Sequence, residues 1–181
     1  MVPLLLTLCL ALFCGCSSYT ILPRVLPPIK GLEGISLSAV SVLVVNAEKD
    51  ATEQDILTPT KGRTGLQGNR QAWAKRLVES LSRELAVRGA RVRSDAPVVL
   101  SVTLPEITFY EAQGQIQFTV RVVVSSSVGW AKEYEGASLA TGRSTGSAQE
   151  EADRLAGLAL ADVVRKMLGD TAFLVRLGTK S

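Results

Sequence analysis

The chain has 181 residues, 46% of them hydrophobic and 20% charged, with 20 basic against 17 acidic side chains and a formal net charge of +3. That length accommodates one domain with a proper core, and the composition lies outside the disordered and collagen-like ranges. The absence of histidine excludes Ser-His-Asp and Cys-His catalysis, imidazole metal ligation and a histidine pH switch, and the absence of cysteine beyond Cys16 excludes disulfides and thiolate metal sites from residues 17–181.

Residues 2–13 are apolar apart from Thr7, and small or polar residues follow from Cys14 to Ser18. This is the order of a secretory h-region and its cleavage zone, although the positive n-region rests on the terminal amine alone. A spanning helix needs roughly 17 to 25 apolar residues, and this run is shorter and bordered by Pro3 and Gly15. Leu12-Phe13-Cys14-Gly15-Cys16 resembles the bacterial lipobox, with Gly15 as the small residue before cleavage and Cys16 as the acylated cysteine; Phe13 departs from the usual Leu. The resemblance implies a diacylglycerol thioether on Cys16 and a further acyl chain on its freed amine, enough chains to make release from a membrane slow. Ser17, where an aspartate tends to retain lipoproteins in the inner membrane, implies the outer membrane. The expected division is a signal peptide at 1–15, a lipidated proline-rich arm at 16–34 and a single periplasmic domain at 35–181.

The arm carries Pro23, Pro27 and Pro28, which disfavour helix interior and central strand. It reads either as an extended spacer or as a segment laid against the domain through Ile21, Leu22, Val25, Leu26 and Ile29. Residues 35–46 read as a strand whose continuous apolar end asks for cover on both faces or packing in an oligomer. Residues 47–68 are polar and glycine-rich and read as a long loop with a small strand at 55–58. Trp73, Leu77, Leu81 and Leu85 recur every four residues, predicting a helix over 70–88 capped by Asn69 and ended by Gly89.

Strands are expected over 98–107, 115–125 and 130–141, the second with Ile116, Phe118, Val120, Val122 and Val124 inward and the third a charged edge strand. A helix over 148–168 has a Ser147/Glu150 capping box, acids at its start and Arg165 and Lys166 near its end. The apolar tail 172–177 reads as a packed final turn or a contact surface. The fold class is therefore α+β: a two-layer sandwich of a mostly antiparallel sheet of about four strands, with two helices on one face.

Candidate chemistry is sparse. Gly62-Arg-Thr-Gly-Leu-Gln-Gly68 lacks the full phosphate-loop pattern. Glu48, Asp50, Glu53 and Asp55 lack the spacing of a calcium loop, Glu106 and Glu111 show no acid–base division of roles, and Glu133 and Glu135 read as one solvent-facing side of a strand. The basic residues around the first helix are interrupted by acids and read as a solvated face. No catalytic residue, cofactor, metal or nucleic-acid partner is expected; Phe109, Tyr110, Trp130 and Tyr134 form a candidate recognition group.

The proline segment followed by residues 34–46, the helix running into Arg88-Gly-Ala-Arg-Val92, residues 98–118 and the last helix leading into Phe173-Leu-Val together resemble the YajG-like family of uncharacterised Gram-negative lipoproteins. That resemblance implies an outer-membrane-anchored periplasmic lipoprotein with a structural or protein-interaction role, and carries no catalytic residues. The plan is also similar to that of accessory lipoprotein subunits of envelope lipid or solute transport systems. The expected partners are the membrane, through Cys16, and an envelope protein.

Overall fold

A computed structural model describes residues 19–24, 28–58, 62–112, 115–141 and 147–178. Among these residues, eight strands and three helices follow in the order β1 Tyr19–Ile21, β2 Ser41–Asn46, β3 Glu53–Thr58, β4 Gly62–Asn69, α1 Arg70–Val87, β5 Arg91–Val92, β6 Val98–Ala112, β7 Gln115–Ser126, β8 Trp130–Thr141, α2 Ala148–Leu168 and α3 Thr171–Arg176.

The long antiparallel meander β6–β7–β8 organises the sheet. The free side of β6 is shared between two groups of strands. Its first half pairs in parallel with β2, which pairs in parallel with β5; its second half meets β3, which pairs with β4 and through it with β1. The α+β class is right, but the expectation of about four mostly antiparallel strands and two helices is overturned. Parallel pairs join β1 to β4, β2 to β5, and both β2 and β3 to β6, and α3 is a third helix. Parallel partners lie far apart in sequence, so no local turn signal announces them.

Helices α1 and α2 pack on one face of the sheet. Trp73, Leu77, Leu81 and Leu85 of α1 are buried, as are Leu155, Ala156, Ala159, Val163 and Met167 of α2. Asn69 accepts from the Ala72 N–H at 2.9 Å and caps α1, and Gly89 ends it at φ +93°. The Ser147 hydroxyl accepts from the Glu150 N–H at 3.2 Å while Glu150 accepts from the Ser147 N–H at 3.1 Å, completing the capping box.

On β7, Phe118, Val120, Val122 and Val124 are buried, as their alternation requires. On β6 the buried set is Leu100, Val102 and Leu104, then Phe109. The change of parity falls at a bulge between Thr103 and Glu106, where Pro105 has no N–H to give the ladder. The strand then continues to Ala112, five residues past the end expected at 107.

In the segment 47–68, expected to be a long loop with a small strand at 55–58, that strand is present as β3, and the rest of the expected loop contains β4 paired with it. Its glycine-rich strand gains its place from neighbours on both sides. A Cβ on Gly68 would lie 3.2 Å from Ile56 Cδ1 and 3.3 Å from Ile56 Cγ1, so the small residue makes room for that side chain.

Candidate functional site

Three regions bear on function: the attachment of the N-terminal segment, the sheet face away from the helices, and the junction of β8 with α2 and α3. Cys16, the expected lipidation residue, lies outside the described residues. The chain enters the domain just beyond it. Tyr19, Thr20 and Ile21 pair with Leu66, Gln67 and Gly68 of β4, Ile21 is fully buried, and its carbonyl accepts from Trp73 Nε1 at 2.9 Å. The Leu22 N–H donates to Asp153 Oδ1 at 2.9 Å and the Arg24 N–H to the Asp153 carbonyl at 3.1 Å. Burial raises the Asp153 carboxyl, against the opposing bond from Leu22.

Farther along, Glu84 Oε1 accepts from the Ile29 N–H at 3.1 Å, and Glu84 pairs with Arg88, whose Nη2 donates to the Ile29 carbonyl at 3.4 Å. The side chains of Glu84 and Arg88 are 4% and 9% exposed. Of the two readings left open for the proline segment, its described residues follow the one that lies against the domain. They border a groove of about 520 Å³ lined by Ile29, Leu32, Ile35, Val87 and Arg88 among others. Glu84→Ala removes the acceptor for Ile29 and strands the Arg88 charge, so a loss of about 2–3 kcal/mol is expected in urea unfolding. The double change Glu84→Leu with Arg88→Met should recover much of it, because apolar replacement of a buried pair leaves no unpaired charge.

The sheet face away from the helices presents cross-strand rows. Leu43 lies opposite Val99, and Thr103, Val123 and Glu133 form a second row. Beyond the bulge come Glu106–Arg121–Glu135, Thr108–Thr119–Ala137 and Tyr110–Gln117–Leu139. Arg121 bridges Glu106 at 3.0 Å and Glu133 at 3.1 Å, beside a polar recess of about 210 Å³. Tyr110 and Leu139 are exposed at the end of this face, 37% and 58% accessible.

The four aromatic residues expected to act in recognition occupy different surroundings. Phe109 is buried on the helix-covered face against Phe118, centroids 5.0 Å apart, while its neighbour Tyr110 points to the open side. Trp130 and Tyr134 come together around Phe173 of α3, at 5.8 and 6.4 Å. The Tyr134 hydroxyl donates to Asp170 Oδ2 at 2.6 Å and Lys132 Nζ donates to the same oxygen at 2.7 Å. Burial, then the bond to Asp170, raises the Tyr134 phenol and keeps it protonated.

Burial would raise the Asp170 carboxyl, but donation by Lys132, Tyr134 and the Ala172 N–H outweighs it and holds the group below its usual range. A depressed carboxylate contributes stability above its unfolded pKa and loses it as pH falls through the folded value. Asp170→Asn keeps a cap for α3 but removes the charge. Urea unfolding should therefore show a deficit of about 1 kcal/mol at pH 7 that shrinks as the pH falls below the ordinary aspartate value of about 3.9 and is lost once the pH has passed through the lowered folded value.

Strand β8 forms an edge, and α2 covers part of it. Asp162 accepts from the Ala137 N–H at 3.2 Å, and Lys166 donates to the Glu135 carbonyl at 2.7 Å. These contacts blunt an edge that otherwise invites another strand. Sequence reasoning missed Asp162, Asp170, Asp153 and Glu84 as organising residues. The spacings of Glu84 with Arg88 and of Asp162 with Arg165 and Lys166 are visible helix pairs, and Asp170 stands at the start of a helix as its cap; their bonds to distant segments, and those of Asp153, carry no local signature.

Among the described residues no group of three or more His, Cys, Asp or Glu side chains is placed to hold a metal ion. No described helix is long and apolar enough to cross a membrane.

No family model matches the chain, and no curated protein matches it. Among solved structures it is similar to a Xanthomonas campestris protein of family DUF330, at 16% identity over 90% of this chain and 99% of that one, with a TM-score of 0.58. It also matches a candidate lipoprotein of Caulobacter crescentus at 14% identity over 77% of this chain and 93% of that one; at a TM-score of 0.47 that likeness is too slight to argue from. The first likeness is one of fold, distant in sequence, to an uncharacterised bacterial family, consistent with the YajG-like resemblance. The chain thus carries a small α+β domain with the fold of an uncharacterised bacterial family.

Proposed function

We propose that the protein is a lipoprotein anchored through acylated Cys16 in the outer membrane, facing the periplasm, and that its domain makes protein contacts in the cell envelope rather than catalysing a reaction. The observation that carries this reading is the sequence Leu12-Phe13-Cys14-Gly15-Cys16 closing an apolar run immediately before a folded domain. The open sheet face, with its shallow recess and ion-paired Arg121, supports contacts made at the surface. Trp73, Phe118, Leu155 and Leu160 fill space between sheet and helices, which favours surface contacts over an apolar ligand held in that layer.

Membrane fractionation with intact-mass measurement tests the anchor on the wild type and Cys16→Ser. The wild type is expected in the outer-membrane fraction, starting at Cys16 and carrying the mass of its acyl chains; the variant is expected as an unacylated protein. A wild type found soluble, or a variant with the same mass shift, overturns the reading. Crosslinking of the anchored protein then identifies the partner.

A further inference from the structure

We infer that the domain is held directly on the bilayer in a fixed orientation, with the hairpin end of β6–β7–β8, marked by Tyr110 and Leu139, against the lipid headgroups. This rests on the proposed acylation of Cys16. From Cys16 to Tyr19 the chain advances three residues, which reach at most about 11 Å when fully extended. Tyr19 is already fixed, in register with Leu66. Leu66 lies between the β3–β4 pairs Asp55–Gln67 and Leu57–Arg63, and Leu57 stands opposite Thr108 of β6.

Strand β1 therefore begins near the level of Thr108, with Ala112, the end of β6, four residues farther, about 13 Å at strand rise. The directions agree as well. Strand β3 runs parallel to β6, β4 runs against β3, and β1 runs with β4, so the chain enters β1 from the side on which β6 ends. Even fully extended, the three residues carry Cys16 no farther than the end of β6. Its acyl chains start at the hydrocarbon boundary, beneath a headgroup layer only about 5–8 Å thick. The hairpin end must then meet that layer.

The surface at that level suits the contact. Tyr110, Gln117 and Leu139 form one cross-strand row on the open face, and the exposed tyrosine and leucine offer an amphipathic ring and an apolar side chain, the kind of residue that settles at a membrane–water boundary. The opposite end, the turn after β7 with exposed Val128, is left facing away from the membrane and free for a partner.

The full-length, lipidated protein tests this in vesicles of phosphatidylethanolamine and phosphatidylglycerol that carry a headgroup-linked energy acceptor. Once processed at Cys16, the mature chain keeps no free thiol, so Gln115→Cys and Val128→Cys each give one labelling site for a donor. Transfer from position 115 is expected to be at least about twofold greater than from 128, since about 36 Å of β7 separates the two ends. A Gly-Ser spacer of about 20 residues between Ser18 and Tyr19, spanning about 25 Å, should abolish the difference. Tyr110→Ser with Leu139→Ser should reduce it.

Equal transfer from both sites in acylated, unextended protein overturns the orientation and leaves the anchor intact. An unacylated Cys16 by mass overturns the anchor, and the orientation with it. No effect of the double substitution overturns the role given to Tyr110 and Leu139.

Discussion

Replacing Gly136 by alanine is expected to destabilise the domain by about 3 kcal/mol or more, at or above the upper end of ordinary overpacking. Gly136 lies on β8 where α2 passes over it. A Cβ there would stand 2.2 Å from the Ala159 carbonyl oxygen, 2.5 Å from Val163 Cγ2 and 2.9 Å from the Val163 nitrogen. Two of these atoms are backbone, so no rotamer change relieves the contact. Either α2 lifts away from β8 or the strand bends.

Lifting α2 would also strain the bonds of Asp162 and Lys166 to the β8 edge and the burial of Ala156, Ala159 and Val163. The check is thermal and urea unfolding of Gly136→Ala beside Gly129→Ala. Gly129 has open space around its Cβ position, and its φ of +81° makes only the backbone cost count there. For a domain of this size, a midpoint lowered by about 6–12 °C is expected for Gly136→Ala and a much smaller shift for Gly129→Ala. Equal shifts would show that α2 yields more easily than its contacts imply.

The same junction shows how far the sequence could be read. Both long helices were marked by caps whose partners lie within three residues, and small residues on α2, Ala152, Ala156 and Ala159, are buried and allow its close approach to the sheet. Strands β7 and β8 were legible because one face of each is buried and the alternation is unbroken. Legibility failed where structure depends on distant partners. Gly62–Asn69 has the composition of a loop and becomes a strand because β1 and β3 pair with it, with Gly68 leaving space for Ile56 of β3.

Pro105 looked compatible with a simple strand but shifts its register, so Phe109 turns inward beside Phe118 and Tyr110 turns out. The candidate recognition residues were chosen by type and proximity in sequence, and a one-residue bulge reassigns which neighbour faces solvent. The proline segment was ambiguous for a similar reason. Its anchors, Trp73 and Glu84 of α1, Arg88 at the end of that helix and Asp153 of α2, belong to elements far downstream.

Trp73→Ala is expected to cost about 3–5 kcal/mol, the range for removing a fully buried large aromatic, and also to release the N-terminal strand. Trp73 is wholly buried, tilts against Phe118 at a centroid distance of 6.1 Å, and donates its indole N–H to the Ile21 carbonyl. Truncation opens a cavity under β4 and leaves that carbonyl without its donor. Trp73→Phe separates the two effects, since it keeps most of the ring volume and loses the N–H; it should cost about 1–3 kcal/mol, the penalty for an unsatisfied buried acceptor.

Hydrogen exchange gives the decisive readout. In the wild type, amides of β1 and β4 should exchange with protection similar to that of β6 and β7, because one tryptophan ties the entering chain to the core. In Trp73→Ala, β1 should lose protection selectively, before the meander does. On an anchored protein this loss lengthens the tether from three residues to the stretch running up to Leu22, where the bond to Asp153 next holds the chain. If Cys16 is acylated as proposed, the tryptophan that packs the core would thereby also set how closely the domain is held to the membrane. A Trp73→Ala protein that unfolds in a single step with β1 as protected as β7 would break that link.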